Sequence, residues 1–257
     1  MKKKIIFSII TPVLNGEKFI KKNIESLKNQ SFKNYEHIII DGKSIDKTIQ
    51  IINKNKNKKN ILIIKKDKNL WEAINRGIKI SKGNFIGILN SDDYLYKNGL
   101  KIIYDYFKKD KSLSYIFGAV KKNKRILYKL EKNKIFYKFN VYPSHSVSFF
   151  LKKKVQKEIG YYNSNYNLCA DYDFFFKLFN NHKFKGSNTS KNQIIGYFRA
   201  GGISERVSKF KKLILEFKIR YKNKQNIMFL FFLFQLTVLN IIRNYLLKIF
   251  LKIKKIF

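Results

Sequence analysis

Short apolar runs alternate with segments of helical periodicity through the first half of the chain, and this alternation limits the fold more than any other feature. The apolar runs predict strands at residues 5–10, 37–40, 61–64 and 85–89. The segments between them place apolar residues on one face and predict helices at residues 17–30, 44–53 and 70–80. Because these strands are apolar throughout rather than at alternate positions, we expect an α/β fold with a mostly parallel central sheet flanked by helices.

The second half is less regular and changes in composition near its end. It predicts helices at residues 98–108, 150–159 and 170–180, and strands at residues 114–120 and 125–130. A basic helix at residues 209–222 is followed by an apolar one at residues 227–242. We therefore predict one α/β domain over residues 1–205 and a basic and apolar helical tail over residues 206–257.

Polar residues follow each of the four predicted parallel strands. Sheets of this kind bind ligands beyond the carboxyl ends of their strands, which is where these residues would gather. They are Asn15 after the first strand, Asp41 and Ser44 after the second, Asp67 after the third, and Asp92 and Asp93 after the fourth. Four such coincidences at one edge of a sheet predict a binding site there.

The adjacent acids Asp92 and Asp93 have two interpretations. Two carboxylates repel each other unless a cation offsets their charge, and their hard oxygen atoms suit Mg²⁺ or Mn²⁺ bridging the phosphates of a nucleotide. The same pair of residues is also common at a turn that caps the next helix. This segment by itself leaves both interpretations open.

Three other polar positions also have both a structural and a functional interpretation. Asp41 and Ser44 either form a turn and a helix cap or contact a nucleobase and its ribose or phosphates. Asp171 and Asp173 open a predicted helix, where a carboxylate either caps the helix or acts as a general base. His145 is a lone loop histidine, and only its place upstream of Asp171 favours a catalytic role.

The composition limits which binding partners and which cellular compartment fit this chain. The formal net charge is +38, but the lysines are dispersed through loops such as residues 53–60. We attribute most of this charge to the codon bias of an AT-rich genome and predict no nucleic-acid partner. Cys169 is the only cysteine, which excludes an intrachain disulfide and a cysteine zinc cluster and fits a reducing cytoplasm. The first apolar run is too short for a signal peptide and is predicted to be a buried strand.

Four segments together resemble the family 2 glycosyltransferases of the GT-A fold, in particular the WcaA-like group that builds bacterial surface polysaccharides. They read FSIITPVLNGEKFIKKNIESLKNQSFKNYEHIIIDGKSIDKT, KDKNLWEAINRGIKISKGNFIGILNSDDYL, CADYDFFFKLF and GGIS. The resemblance covers roughly residues 5–204 in the order and approximate spacing of that family. This combination is far more specific than any one of its motifs.

The resemblance implies a role for each matching residue. Donor binding is implied for Thr11, Pro12, Asn15, Asp41, Asp67, Asn75, Arg76 and Asp92. Asp93 is implied to be the direct metal ligand and Asp171 the catalytic base, with Asp173 and His145 in support. A mobile loop that closes over the donor is implied for Gly201, Gly202 and Ser204.

The resemblance also implies the reaction. A sugar passes from a nucleotide-sugar, for preference a UDP-sugar, to a hydroxyl of a lipid-linked or oligosaccharide acceptor, in one inverting displacement that uses Mg²⁺ or Mn²⁺. Two departures bear on this expectation. Residues 67–73 read DKNLWEA where close relatives have DKGIYDA, and Ala170 stands where many relatives have a glutamate. The base and the metal ligands are retained, whereas the donor preference becomes harder to predict.

The tail suggests a membrane. The apolar run at residues 227–242 is shorter than the about 20 residues that span a bilayer. Positive residues flank it on both sides, namely Lys222, Lys224, Arg243, Lys248 and Lys252. We therefore expect a helix lying in the cytoplasmic leaflet of a bacterial inner membrane, against an anionic surface. The alternative is a helix packed on the α/β domain or in a dimer.

Three other functions compete with this interpretation. A nucleotidyltransferase usually carries a Gly-rich, Arg-containing loop after its first strand, and TPVLNG at residues 11–16 is different. A basic nucleic-acid-binding protein matches the charge and the 16% aromatic content but lacks a recognition motif. A non-catalytic relative is the third alternative, and the retention of Asp41, Asp93 and Asp171 counts against it.

Overall fold

The structure, a computed structural model, describes residues 4–131, 137–139, 146–201 and 208–253. Its strands are β1 (Phe7–Val13), β2 (Tyr35–Asp41), β3 (Asn60–Ile64), β4 (Phe85–Ile88), β5 (Tyr94–Leu95), β6 (Leu113–Phe117), β7 (Ala119–Lys122), β8 (Arg125–Leu127), β9 (Phe149–Lys152), β10 (Lys185–Asn188) and β11 (Ile194–Tyr197). Its helices are α1 (Ile20–Lys28), α2 (Thr48–Asn55), α3 (Leu70–Ile80), α4 (Gly99–Lys109), α5 (Lys153–Ile159), α6 (Ala170–Asn180), α7 (Lys209–Lys222) and α8 (Ile227–Ile253).

A seven-stranded sheet forms the centre of the described chain, in the order β10-β6-β9-β4-β1-β2-β3. Its pairs are parallel except for those of β9, which runs antiparallel to β4 and to β6. A smaller four-stranded sheet follows the order β5-β11-β7-β8. The mostly parallel central sheet and its flanking helices confirm the predicted α/β class.

The four strands predicted in the first half are neighbours in the large sheet. Strands β4, β1, β2 and β3 lie side by side and parallel, so the loops that follow them meet at one edge. β1 is buried at every position, which explains why its sequence lacks a polar face. Helices α1 and α2 begin at Ile20 and Thr48, after their predicted starts, because the residues before them form loops at this edge.

Some predictions for the second half are wrong. The helix predicted at residues 150–159 is a strand over its first residues, since β9 ends at Lys152 and α5 begins at Lys153. A continuous apolar run has no period that separates a central strand from a buried helix. The strand predicted at residues 114–120 is two strands, because the chain changes sheets at Gly118, whose N–H donates to the Ser148 carbonyl at 2.9 Å. The strand predicted at residues 125–130 ends at Leu127.

The last helix is longer than the apolar helix predicted at residues 227–242. Helix α8 continues to Ile253, and its part Ile227–Leu247, 21 residues of which few are buried, is long and apolar enough to cross a membrane. The prediction that the run is too short for a span is therefore wrong. The continuous apolar run ends at the charge of Arg243, but the helix and its apolar character continue beyond that residue.

Helix α7 packs against α6 through a buried arginine. Arg220 is 0% exposed, and its Nε donates to the Tyr172 hydroxyl at 2.7 Å. Its Nη2 donates to the Lys138 carbonyl at 2.6 Å, and its guanidinium lies 5.2 Å from the ring centroid of Phe176. A buried cation needs such partners, so these contacts fix α7 on the α/β domain. The predicted boundary near residue 205 stays a prediction, but it would separate elements that share these contacts.

A buried asparagine on α1 positions the loop that follows β4. The face of α1 that carries Ile20, Ile24 and Leu27 points inward, and Asn23 lies on that same face with 0% exposure. The Asn23 Nδ2 donates to the carbonyl of Asn90 at 2.8 Å and to that of Asp93 at 3.0 Å. Because both carbonyls belong to one loop, α1 fixes the loop's path at the edge of the sheet.

Replacing this asparagine tests how much the loop depends on it. We expect Asn23→Leu, which keeps the approximate volume, to lower the free energy of unfolding by about 1–3 kcal/mol, because buried carbonyls lose their donor. Urea denaturation measures this change. The matched control is Asn53→Leu on α2, where the residue is exposed; it is expected to stay within about 0.5 kcal/mol. Equal losses in the two variants would contradict the assigned role.

Candidate functional site

Two loops at the carboxyl edge of the sheet are joined by a ladder of hydrogen bonds. Three consecutive backbone N–H groups after β1 donate to side chains after β2: Asn15 to Ser44 Oγ at 2.8 Å, Gly16 to Thr48 Oγ1 at 2.8 Å and Glu17 to Asp46 Oδ2 at 3.1 Å. In return, the backbone N–H of Ile45 donates to the Asn15 Oδ1 at 2.9 Å. Asn15 has a φ of 51°, a conformation that asparagine tolerates better than most residues. The structure thus brings together Asn15 and Ser44, two of the predicted donor-binding residues.

The buried carboxylate of Asp41 holds the loop that follows β2. Asp41 is 0% exposed, and its Oδ1 and Oδ2 accept hydrogen bonds from the backbone N–H and the hydroxyl of Ser44 at 2.8 and 2.7 Å. These are the contacts of the turn interpretation. Binding of a nucleobase by Asp41 stays a prediction.

Thr11 and Pro12 lie inside β1 and are buried. The Thr11 Oγ1 is 2.9 Å from Nε2 of His37, which is itself 0% exposed. Burial lowers the pKa of His37 to about 3, so this imidazole is neutral. The two residues of β1 therefore support the edge of the sheet from the interior, and their predicted place in a donor pocket stays a prediction.

Asp67 and Arg76 form an ion pair at the start of α3. The Arg76 Nη2 lies 2.5 Å from Asp67 Oδ1, and its Nε lies 3.2 and 3.3 Å from the two carboxylate oxygens. The side chain of Asp67 is 4% exposed and that of Arg76 is 30% exposed, so the guanidinium is the accessible member of the pair. The structure brings these two predicted donor-binding residues together.

The segment before α6 is bound to the first turns of α3. The Asn75 Nδ2 donates to the Tyr162 carbonyl at 2.7 Å, and the Tyr162 N–H donates back to Asn75 Oδ1 at 3.0 Å. The Trp71 Nε1 donates to the Asn167 carbonyl at 2.7 Å. Because α3 begins at the carboxyl edge of the sheet, these bonds bring the start of α6 towards the same edge. Asn75, predicted near the donor phosphates, makes these structural contacts here.

The acid pair after β4 combines one buried and one accessible carboxyl. Asp93 is 1% exposed, and its Oδ1 accepts the backbone N–H of Arg199 at 3.0 Å. Burial raises the pKa of Asp93 to about 8, and the hydrogen bond from the Arg199 N–H opposes this shift. The side chain of Asp92 is 26% exposed, and its Oδ2 lies 3.6 Å from Nη1 of Arg199.

Arg199 was not among the site residues predicted from the sequence. Besides contacting both acids, its guanidinium carbon lies 4.0 Å from the ring centroid of Phe19, just before α1. Its contact with Asp93 joins positions 106 residues apart, which no local pattern reveals. The sequence signal for Arg199 is its place two residues before Gly201, where the GGIS segment begins. Asn23 was missed in the same way, although an asparagine on an apolar helix face was visible in the sequence.

The carboxylate oxygens of Asp92 and Asp93 suit a hard divalent cation that also binds oxygen atoms of a ligand. In the part of the chain that the structure describes, no three His, Cys, Asp or Glu side chains converge as a metal cage. Mg²⁺ usually takes one or two carboxylates and completes its shell with phosphate oxygens and water. Asp92 and Asp93 match that pattern.

The two acids at the start of α6 differ in exposure and in hydrogen-bond partners. Asp173 is 2% exposed, and its carboxylate accepts from Lys177 Nζ at 2.7 Å and from Asn223 Nδ2 at 2.9 Å. Asp171 is half-buried, and its Oδ1 accepts the N–H of Tyr172 at 2.9 Å. Asp171 is therefore the more accessible of the two carboxylates.

The predicted donor loop and the predicted histidine are only partly described. Gly201 is exposed with a φ of 90°, a backbone conformation that favours glycine. His145, Gly202 and Ser204 lie outside the described residues.

Comparison with known proteins gives concordant matches. The sequence model for glycosyl transferase family 2 matches residues 8–187. A PGL/p-HBAD biosynthesis glycosyltransferase from Mycobacterium bovis is 27% identical over 183 residues, which are 68% of this chain and 70% of that protein.

Two solved structures have a similar fold. S. aureus TarS 1-349 in complex with UDP-GlcNAc has a TM-score of 0.67 at 20% identity, covering 84% of this chain and 66% of that one. The mannosyltransferase PcManGT from Pyrobaculum calidifontis, in complex with GDP-Man and Mn²⁺, has a TM-score of 0.66 at 11% identity, covering 86% of this chain and 65% of that one. This chain thus spans just under two thirds of both structures, and the likeness confirms the predicted GT-A fold. Because the family match begins within β1 and ends within β10, across the whole large sheet, the chain belongs to glycosyl transferase family 2.

Proposed function

We propose that this glycosyltransferase transfers a sugar from a nucleoside-diphosphate sugar to an acceptor hydroxyl, with inversion at the anomeric carbon and with Mg²⁺ or Mn²⁺ as cofactor. The observation that carries this proposal is the Asp92–Asp93 pair beside Arg199 at the carboxyl edge of a parallel sheet. Carboxylates and a guanidinium at one place suit a metal-bound diphosphate. The UDP-GlcNAc bound to TarS supports a UDP-sugar as donor.

The donor is proposed to lie along the loops after β1, β2 and β3. Asn15 and Ser44 are tied into one rigid ladder there, and Asp67 lies under the accessible guanidinium of Arg76. Donor binding by these four residues, and by Thr11, Pro12, Asp41 and Asn75 from behind them, is part of the proposal. Arg76 would bind phosphate oxygens, because a guanidinium matches their geometry with two parallel N–H groups.

The cation is proposed to bind at Asp93 with Asp92 beside it. A divalent cation held there would supply Lewis-acid stabilisation of the charge that develops on the leaving nucleoside diphosphate. The Mn²⁺ bound to PcManGT supports this choice of cofactor. Burial raises the pKa of Asp93 to about 8, whereas a bound cation would favour its charged form.

Asp171 is proposed to be the general base. It lies in the first turn of α6 and is more accessible than Asp173. Its carboxylate would take the proton from the acceptor hydroxyl while that oxygen bonds to the anomeric carbon on the face opposite the diphosphate. Asp173, tied to Lys177 and Asn223, would keep this turn rigid, and Gly201, Gly202 and Ser204 would close over the donor.

The acceptor and the cellular location of the enzyme are also part of the proposal. We assign the enzyme to cell-surface polysaccharide or glycolipid biosynthesis, with a lipid-linked or oligosaccharide acceptor; the PGL/p-HBAD biosynthesis role of the Mycobacterium bovis relative supports this assignment. Helix α8 would lie in the cytoplasmic leaflet of a bacterial inner membrane. Its exposed apolar side chains, such as Phe231 at 54% and Leu239 at 63%, and the exposed Arg243 within the helix suit an anionic bilayer.

Replacement of the proposed base tests the reaction. We expect Asp171→Asn to lower kcat by about 10²–10⁴-fold, because the amide accepts no proton, while donor binding stays nearly unchanged. A panel of nucleotide-sugars, screened by Mn²⁺-dependent thermal stabilisation, identifies the donor. Release of the nucleoside diphosphate then measures turnover. Full turnover by Asp171→Asn would remove Asp171 from this role.

Two further variants separate the base from other effects. Asp105→Asn, an exposed carboxylate on α4 paired with Lys101, is the matched control and is expected to keep wild-type turnover. Asp93→Asn is expected to lose the Mn²⁺-dependent stabilisation by the donor that Asp171→Asn retains. Retention of that stabilisation in Asp93→Asn would count against the metal site.

A charge placed on α8 tests the membrane proposal. Phe232 is 57% exposed, and we expect Phe232→Asp to weaken binding to anionic phospholipid vesicles roughly tenfold or more, because a carboxylate resists burial among lipid chains. Co-sedimentation with vesicles measures the binding. Tyr161→Asp, at a residue that is 49% exposed and far from α8 in sequence, is the matched control. If wild-type protein does not bind vesicles but forms a dimer, and Phe232→Asp dissociates that dimer, α8 is a protein contact instead.

A further inference from the structure

The small sheet brings an arginine to the acid pair that follows β4. Strand β11 runs antiparallel to β5, and Tyr197 is paired with Tyr94. The two rings stack at a centroid distance of 5.0 Å and an interplanar angle of 14°. Continued by two residues, this antiparallel register places Arg199 across from Asp92. The contact between Arg199 and Asp92 is therefore set by the pairing of the small sheet.

The backbone and the side chain of Arg199 contact different acids. Its backbone N–H donates to Asp93 Oδ1 at 3.0 Å, whereas its Nη1 lies 3.6 Å from Asp92 Oδ2. The hydrogen bond to Asp93 is available to any residue at this position except proline, because it uses the main chain. A change of the side chain therefore removes the ion pair with Asp92 and leaves the support of Asp93 in place.

The ion pair between Arg199 and Asp92 is loose. Hydrogen bonds between a cationic N–H group and a carboxylate are usually about 2.7–2.9 Å long, well below 3.6 Å. The two side chains are 42% and 26% exposed, so water also screens the attraction. In the pair of Arg76 and Asp67, by contrast, the closest atoms are 2.5 Å apart and the carboxylate is 4% exposed. Of these two guanidinium groups, that of Arg199 is the easier one to displace.

Phe19 supports the guanidinium of Arg199 independently of Asp92. The guanidinium carbon lies 4.0 Å from the centroid of the Phe19 ring. A guanidinium that stacks on a ring uses its flat face and keeps its N–H edge free for oxygen acceptors. Phe19 can therefore hold this group beside the acid pair while its N–H groups change partner.

We infer that the Arg199 guanidinium is an exchangeable counter-ion of Asp92: it competes with a divalent cation for that carboxylate and, when displaced, binds the diphosphate of the donor. The inference rests on the proposed metal site at Asp92 and Asp93. Two positive groups on one carboxylate repel each other, so close pairing of Asp92 with one of them weakens its pairing with the other. Phosphate oxygens accept from a guanidinium as carboxylate oxygens do, and they offer Arg199 a replacement partner.

This exchange makes the binding of the cation and that of the donor depend on each other. Without a diphosphate, Asp92 loses its contact with Arg199 in order to bind a divalent cation. With a diphosphate, Arg199 gains new acceptors, and Asp92 becomes available to the cation at a smaller cost. Thermodynamic linkage requires that each ligand then raises the affinity for the other by the same factor. The two ligands are therefore expected to bind best together.

The first test is the binding of Mn²⁺ alone to the full chain, without any nucleotide. The electron paramagnetic resonance signal of free Mn²⁺ measures the Kd. We expect Arg199→Gln to bind Mn²⁺ roughly two- to fivefold more tightly than the wild type, because a partly exposed ion pair no longer competes for Asp92. Equal affinities in the two proteins, including no binding by either, or weaker binding by the variant would overturn the inference.

The second test is the binding of UDP and of GDP, each measured by titration calorimetry at saturating Mn²⁺. For the nucleotide that binds the wild type, we expect Arg199→Gln to bind roughly tenfold more weakly, because charge-assisted hydrogen bonds to phosphate are lost. The two affinities thus move in opposite directions, whereas damage to the structure would weaken both. Unchanged nucleotide affinity in the variant would overturn the transfer of Arg199 to the diphosphate.

Two variants control for charge and for position. Arg199→Lys keeps a positive charge opposite Asp92 and is expected to bind Mn²⁺ as the wild type does. Arg125→Gln changes an exposed arginine on β8 of the same small sheet and is expected to leave the affinities for Mn²⁺ and for the nucleotide unchanged. Tighter Mn²⁺ binding by Arg125→Gln would mean that net charge, and not the contact with Asp92, controls the affinity.

Asp93→Asn distinguishes this inference from the proposed function. Mn²⁺ binding that survives in Asp93→Asn would end both the proposed metal site and the role of Arg199. Loss of Mn²⁺ binding in Asp93→Asn, together with equal Mn²⁺ affinities in the wild type and Arg199→Gln, would leave the metal site in place and overturn only the role of Arg199.

Discussion

The backbone that leaves β1 has no strand to pair with, and the side chains of the neighbouring loop accept its hydrogen bonds. The N–H groups of Asn15, Gly16 and Glu17 all donate to residues after β2. The loop after β4 is fixed in a similar manner, by Asn23 from α1. Orphaned backbone groups at the edge of a parallel sheet must find partners, and here those partners define the shape of the candidate donor site. Rigid loops of this kind favour a ligand that meets preformed polar groups.

Arginine and lysine have different uses in this chain. Of 55 basic residues only six are arginine, and the lysines are spread over loops and helices. Three of those arginines nevertheless lie at specific contacts: Arg76 on Asp67, Arg199 between Asp92 and Phe19, and Arg220 inside the α6–α7 contact. A planar guanidinium binds carboxylates with two N–H groups and stacks on rings, which an ammonium does not do as well. Arginine, the rarer basic residue, therefore says more about the specific contacts of this chain than its net charge does.

The sequence predicted what depends on local pattern and missed what depends on distant contacts. Strands β1 to β4 were recognised because each contains a continuous apolar run, and β1 and β2 are buried at every position. Their parallel order placed Asn15, Asp41 and Asp93 at one edge. β5 has only two residues, and β10 (KGSN) and β11 (IIGY) are short and contain glycine, so they carry no usable period. Arg199 contacts acids that are distant in sequence. The residues that surround a site can be found by pattern, but those that tune it require the fold.

The buried guanidinium of Arg220 has a consequence for how the chain folds during its own synthesis. Helix α6 carries the proposed base, yet the hydroxyl of Tyr172 and the carboxylate of Asp173 receive hydrogen bonds from residues 220 and 223. A ribosome delivers the chain from its N-terminus, so the large sheet can assemble while α7 is still being synthesised. The turn around Asp171 reaches its final surroundings only after α7 emerges. The loops of the candidate donor site can therefore form before this turn does, so that in a nascent chain the proposed donor site would precede the proposed base.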